Sequence, residues 1–227
     1  MWIKICGNTN LEDARFAAEC GADAVGFVFA PSPRQVEPNL VSKIAQQLPA
    51  QLEKYGVFVD AGFDEIVSTV AECGLTGVQI HRSSDESLCS RLRRHFAHFP
   101  QRISILHVLP CKDHDPIFDQ QLSELGRNDA LDGVLVDSST ARAVGGTGTS
   151  FNWLQAQSSF LRAAPHLRLI AAGGLSPENV KQAIQILRPW GVDVVSGVES
   201  APGKKDPAKV QAFIRSAQEA AVEIVAT

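Results

Sequence analysis

The chain of 227 residues contains no apolar run near the ~20 residues that a membrane-spanning helix needs. Its longest apolar runs, such as 24–30, suit buried strands. The first residues carry Lys4 and then Glu12 and Asp13 with no long apolar segment, so no signal peptide is expected. There is no CxxC pair and no Cys/His spacing of a zinc site. The five cysteines (Cys6, Cys20, Cys73, Cys89 and Cys111) are odd in number and widely separated, which argues against a disulfide framework. A reducing, cytoplasmic setting is expected, with most thiols acting as small buried hydrophobes. No charge block is present either. A net charge of −4 gives no long-range field for a polyanion, so a nucleic-acid partner is not expected. A small anionic ligand remains open, because backbone amides and a few local cations can bind one. Gly (17) and Pro (12) are at ordinary levels, which excludes collagen-like and low-complexity chains.

What is present is one repeated pattern: a short β-branched apolar run, a polar or glycine-bearing loop, then a helical stretch. The runs are Trp2–Cys6, Ala24–Phe29, Tyr55–Val59, Gly77–Ile80, Ile103–Val108, Gly133–Val136, Leu167–Ala171 and Val192–Val195. They are nearly continuous in apolar residues, as strands of a parallel sheet covered by helices are. The helices carry their own signals. Thr9 and Glu12 are spaced as a capping box before the stripe Leu11, Ala14, Ala17 and Ala18, and Gly21 stands where a helix ends. Ser176-Pro177 and Asp206-Pro207 read as helix starts. Eight βα units at this length predict a single-domain (βα)8 barrel over residues 1–227, of the TIM-barrel class. A doubly wound sheet is the alternative, but Cys6-Gly7-Asn8 after the first strand is not a GxGxxG fingerprint.

A barrel of this kind places its chemistry at the C-terminal ends of the strands. Strand 1 ends in Cys6-Gly7, either a base or nucleophile at the rim or a packed thiol. Strand 6 delivers Asp137, a general acid or base, or a cap for loop amides. Asp60 has similar geometry but leads into Ala61-Gly62, which favours a turn. Gly173-Gly174 after strand 7 and Ser196-Gly197 after strand 8 occupy the two slots where such barrels bind phosphate. Gly145, Gly146, Thr147 and Gly148 read as a lid or second phosphate wall, or simply a long loop. Arg34, on the stiff Ser32-Pro33 turn, either grips a planar carboxylate or is solvated. Lys4 shares a strand face with Cys6 and either favours its thiolate or forms a buried ion pair. His81 and His107 are further rim candidates.

Lys4-Ile5-Cys6-Gly7, Gly26-Phe27-Val28-Phe29 with Ser32-Pro33-Arg34, Val57-Phe58-Val59 and Val78-Gln79-Ile80-His81 resemble phosphoribosylanthranilate isomerases. So do Asp137, Gly145-Gly146-Thr147-Gly148 with Phe151-Asn152-Trp153, Ala172-Gly173-Gly174-Leu175, and the run from Ser196 through Gly203. The match runs from end to end in order. The resemblance implies a (βα)8 barrel that carries out an Amadori rearrangement in tryptophan biosynthesis. Its substrate would be N-(5-phosphoribosyl)anthranilate and its product 1-(2-carboxyphenylamino)-1-deoxyribulose 5-phosphate. It further implies Cys6 as base, Asp137 as acid, Arg34 at the anthranilate carboxylate, and Gly173, Gly174, Ser196 and Gly197 at the phosphate. A protonated Asp137 and an ionised Cys6 near neutrality require the pocket to shift both groups. No metal or redox cofactor is expected, nor a membrane, and the chain would be a monomer or homodimer. The chain departs from the family pattern at Arg82-Ser83-Ser84 and at Asn152. Another sugar-phosphate barrel enzyme, or a non-catalytic sugar-phosphate-binding barrel, is the alternative reading.

Overall fold

The computed structural model describes residues 1–81, 86–111, 117–137 and 153–225, except for the side chains of 86, 153–156 and 225. Eight strands form a closed, all-parallel barrel in chain order, with β8 returning to β1. They are β1 (Trp2–Ile5), β2 (Ala24–Val28), β3 (Glu53–Phe58), β4 (Gly77–Ile80), β5 (Ser104–Pro110), β6 (Gly133–Asp137), β7 (Arg168–Ala172) and β8 (Gly191–Val194). The helices that follow them are α1 (Leu11–Glu19), α2 (Pro38–Ala45), α3 (Phe63–Cys73), α4 (Glu86–Phe96), α5 (Phe118–Leu125), α6 (Trp153–Ala163), α7 (Val180–Leu187) and α8 (Pro207–Val225). The apolar runs read from the sequence coincide with these strands to within two residues at every end. Among the described residues no helix is long and apolar enough to cross a membrane.

Alternation along the strands builds two apolar regions. Ile3, Ile5, Val25, Phe27, Val78, Ile80, Val134 and Val136 face outward into the helix layer. Trp2, Ala24, Tyr55, Leu106, Val108, Leu135, Ile170 and Ala172 fill the barrel interior. At the N-terminal end Trp2 packs edge-on against Tyr55, ring centroids 5.6 Å apart. Moving up β1, the inward positions change from Trp2 to Lys4 to Cys6, so the interior passes from an aromatic floor to a charged layer to a thiol at the mouth.

Several helix boundaries differ from the sequence reading. The cap of α1 is Asn10, whose side chain accepts from the Asp13 amide at 2.8 Å; Thr9 instead donates to the Gly203 carbonyl at 2.6 Å. Gly21 does close that helix, at φ +96°. Around Ser176 the chain forms a turn first. The Val180 amide donates to the Ser176 carbonyl at 3.1 Å, and α7 proper starts at Val180. The Asn179 side chain holds this turn, accepting from the Ser176 amide and donating to the Gly174 carbonyl. Asp206 caps α8 as expected, accepting from Ala208 and Lys209. Between β8 and α8 lie a 3₁₀ turn (Ser196–Val198) and a small antiparallel hairpin, β9 (Glu199–Ala201) with β10 (Lys204–Lys205), which the sequence reading leaves as loop.

One ion-pair cluster sits outside the barrel. Asp132, just before β6, accepts from Arg93, Arg102 and the Ile105 amide. Burial alone would raise its carboxyl, but the Arg102 and Ile105 hydrogen bonds and the Arg93 charge outweigh burial and hold it below the ordinary value. A carboxylate with a depressed folded value contributes stability above its unfolded value of about 4, and that stability is lost as pH falls through the folded value. Asp132→Asn is therefore expected to lower the denaturant midpoint at neutral pH and to narrow the gap from wild type below pH ~3.5. Chemical-denaturation series at both pH values check this; an equal gap at both would remove Asp132 from the acid response.

Candidate active site

A cavity of about 330 Å³ opens at the C-terminal end of the barrel. Cys6 from the end of β1 and Asp137 from the end of β6 both line it, together with Arg34, His81, Gly173, Gly174 and Ser196. Gly197 does not line it. A Cβ at Gly197 would run into the Leu175 carbonyl, so this glycine lets the β8 loop press against the β7 loop. Gly173 and Gly174 adopt φ of +78° and +63°, which aims the loop backbone in a way side-chain-bearing residues rarely adopt. The segment carrying Gly145, Gly146, Thr147 and Gly148 lies outside the described residues.

Two sequence candidates fall away from the cavity. β5 runs two residues beyond its expected end, so His107 sits mid-strand; it shares the outward face of Ile105 and Leu109 and is buried under the helices. Asp60 is exposed, and α3 is capped by Gly62 without a side-chain bond.

The glycine of β2 shapes the thiol's position. A Cβ at Gly26 would overlap the Cys6 sulfur. Gly26→Ala is expected to leave the chain folded, to push the Cys6 side chain off its place and to lower turnover by about tenfold or more. Steady-state kinetics together with the thermal transition check it; a folded variant with unaltered turnover would show that the thiol's position is not critical.

Under the mouth lies a charged layer. Lys4 Nζ donates to Asp193 Oδ2 at 2.9 Å and to Gln79 Oε1 at 2.6 Å, and all three side chains are buried. Lys4 thus forms the buried ion pair that was one of its two expected roles. Burial alone would lower the Lys4 ammonium, but the charges of Asp193 and Cys6 outweigh burial and hold it above its ordinary value. Cys6 moves opposite to the sequence expectation. Burial, the largest influence, pushes its thiol up, and Asp193 adds to this; Lys4, Lys205 and the Gly7 amide pull it down without prevailing. Asp193, which lines the cavity, keeps Oδ1 without a hydrogen-bond partner.

A second network fixes the rim. Arg34 makes a two-point contact with Glu199, Nε to Oε1 at 2.8 Å and Nη2 to Oε2 at 2.6 Å. Glu199 also accepts from Lys205 Nζ at 3.2 Å. Lys205 in turn donates to the Cys6 carbonyl at 2.5 Å. The small hairpin therefore ties loop 2, loop 8 and the end of β1 together. Burial would raise Glu199, but Arg34 and Lys205 hold its carboxyl below the ordinary range. In the sequence Glu199 falls within the run from Ser196 through Gly203 and Lys205 just beyond it, neither with a role; only the fold brings them beside Arg34 and Cys6.

A thiol, a carboxyl group, an arginine and the Gly173-Gly174 loop share the mouth of a (βα)8 barrel, an arrangement of the kind an isomerase that works by proton transfer uses. The family model for N-(5'phosphoribosyl)anthranilate (PRA) isomerase matches residues 3–216, and the chain belongs to that family. It is 40% identical over 218 residues to the N-(5'-phosphoribosyl)anthranilate isomerase of Pelobacter propionicus, covering 96% of this chain and 95% of that one. The phosphoribosyl anthranilate isomerase of Thermotoga maritima superposes with a TM-score of 0.80 at 35% identity, covering 96% of this chain and 99% of that one. A solved phosphoribosyl anthranilate isomerase in complex with reduced 1-(o-carboxyphenylamino)-1-deoxyribulose 5-phosphate superposes at 0.78, with 32% identity, covering 96% and 99%.

Proposed function

We infer that this chain is the isomerase that converts N-(5-phosphoribosyl)anthranilate to 1-(2-carboxyphenylamino)-1-deoxyribulose 5-phosphate in tryptophan biosynthesis. The observation that carries this reading is that Cys6 and Asp137 open into one cavity beside the glycine loops. Asp137 donates a proton to the furanose ring oxygen as the C1–O bond breaks, giving an open-chain cationic Schiff base. Cys6 takes the proton from C2, and the electron pair flows toward the iminium nitrogen to give an enolamine. The enolamine tautomerises to the ketone. The iminium charge is the electron sink, so each protein group needs only to move one proton, a contribution of roughly 10²–10⁴-fold apiece. That charge also opposes the burial that holds Cys6 protonated, because a nearby cation favours a thiolate.

The phosphate rests on the amides around Gly173, Gly174 and Ser196, which line the cavity, while Gly197 supports the β8 loop from behind by packing against the Leu175 carbonyl. Arg34 holds the anthranilate carboxylate. Its Nε and one terminal nitrogen are occupied by Glu199, which leaves Nη1 and the free edge of Nη2 for the ligand. A cytoplasmic setting suits an enzyme of this pathway, and among the described residues no helix is long and apolar enough to cross a membrane.

The test is growth without tryptophan of a host lacking this isomerase. Rescue is expected; a folded, expressed chain that fails to rescue would overturn the reading. Arg34→Ala is expected to raise KM about tenfold or more with a smaller change in kcat, since a charged hydrogen bond contributes about 1.5–3 kcal/mol. Glu199→Gln is expected to move KM in the same direction by less. Unaltered KM in Arg34→Ala would remove Arg34 from the site.

A further inference from the structure

The charged layer contains one line of contacts that the proton transfers above leave unused. It starts at Lys4, whose ammonium faces Asp193, the Cys6 sulfur and the Gln79 side chain. An ammonium donates and cannot accept. The Gln79 atom 2.6 Å from Lys4 is therefore the carbonyl oxygen, which leaves the amide NH2 turned the other way. There it meets Nε2 of His81 at 3.2 Å. An amide NH2 also only donates, so His81 Nε2 must accept, and the ring proton must sit on Nδ1. The chemistry of Lys4 alone settles the direction of every bond in the line.

We propose that Gln79, oriented by Lys4, fixes His81 as the neutral Nδ1–H tautomer and makes it a hydrogen-bond donor to a substrate oxygen in the mouth, not a carrier of protons. Gln79 is then a positioning residue and His81 a binding residue. His81 lines the cavity at the tip of β4, across the barrel from the glycine cradle of β7 and β8. With the phosphate on that cradle, as read above, the acceptor belongs to the part of the substrate farthest from the phosphate.

The charges around the ring fit a neutral imidazole. Asp137 on β6 and Asp193 on β8 favour the imidazolium, while Lys4 on β1 and, above all, burial oppose it, and the balance lies below the ordinary histidine value. Protonating the ring would set an N–H against the Gln79 NH2. Turning the Gln79 amide to relieve that clash would set its NH2 against Lys4. Either way one hydrogen bond of the line is lost in a site where few replacements exist.

The first test is long-range ¹H–¹⁵N spectroscopy of the full chain labelled at histidine nitrogens, with the His81 signals assigned by their loss in His81→Asn. At neutral pH the wild-type ring is expected to show protonated Nδ1 and unprotonated Nε2. An Nε2–H tautomer or an imidazolium there overturns the proposal, whether or not the chain is an isomerase. Gln79→Glu supplies a carboxylate that accepts at both ends, so it is expected to move the proton to Nε2 and to raise the histidine's titration midpoint; an unmoved tautomer overturns the relay.

The second test is kinetic. Losing one neutral-donor hydrogen bond corresponds to about a three- to tenfold change, so His81→Ala is expected to raise KM by that factor. His81→Asn, whose amide nitrogen reaches close to the Nδ1 position, is expected to recover most of the loss. A fall in kcat with loss of an ionisation from its pH profile, and no recovery by asparagine, would make His81 a proton carrier and overturn the proposal. Failure of the chain to isomerise the substrate at all would sink the functional reading while the tautomer still decides the relay.

Discussion

Cys6→Ser and Asp137→Asn are each expected to cut kcat by at least about a hundredfold while the chain stays folded. A serine hydroxyl ionises far less readily than a thiol, so the C2 proton loses its acceptor. An asparagine amide cannot release a proton to the ring oxygen, so the sugar stays closed. Both side chains lie at the open end of the barrel, and neither is an apolar packing unit in the helix layer. Their loss therefore falls on turnover more than on stability. Steady-state rates with the thermal transition measured alongside check the point. A folded variant that keeps near-normal kcat would end the role assigned to that residue.

Lys4→Met is expected to destabilise the chain by about 3–5 kcal/mol, the usual cost of stranding one partner of a buried ion pair. Lys4 is fully buried and Asp193 is 4% exposed, so the Asp193 carboxylate is left largely desolvated at the floor of the cavity once the ammonium is gone. Gln79 Oε1 loses its donor in the same step. The double variant Lys4→Met/Asp193→Leu removes both charges and is expected to regain much of the loss, since replacing a whole buried pair by apolar groups is often neutral. Denaturant midpoints of the two single variants and the double variant check this. Equal stability of Lys4→Met and wild type would show that the layer is not held by this pair. Lys4→Met should also push Cys6 further up, because the cation that favours its thiolate is gone.

The strands were legible in the sequence because a parallel barrel buries both faces of each strand, and continuous apolar runs such as Val134-Leu135-Val136 admit few other readings. Strand ends were legible enough to bring Cys6, Asp137, Arg34, Gly173, Gly174 and Ser196 to one cavity. Parity errors cost more than end errors. Two extra residues on β5 leave His107 mid-strand on the helix side. Capping was misread where two polar residues compete. Thr9 and Asn10 can both cap α1, and only the Gly203 carbonyl, far along the chain, claims Thr9. The partners of Lys4 were not legible at all, since nothing local in Gln79 or Asp193 marks them as neighbours of β1. Gly26 likewise reads as an ordinary small strand residue until the Cys6 sulfur fills the space above it.

The pairing of Lys4 with Asp193 joins the first strand to the last, in direct register. The two partners lie 189 positions apart in the sequence, so a half-length fragment holds one member of the pair without the other. The seam of the cylinder is thus its electrostatic lock. Incomplete chains are penalised until the final strand docks, which favours closure as one cooperative event over stepwise accretion of βα units.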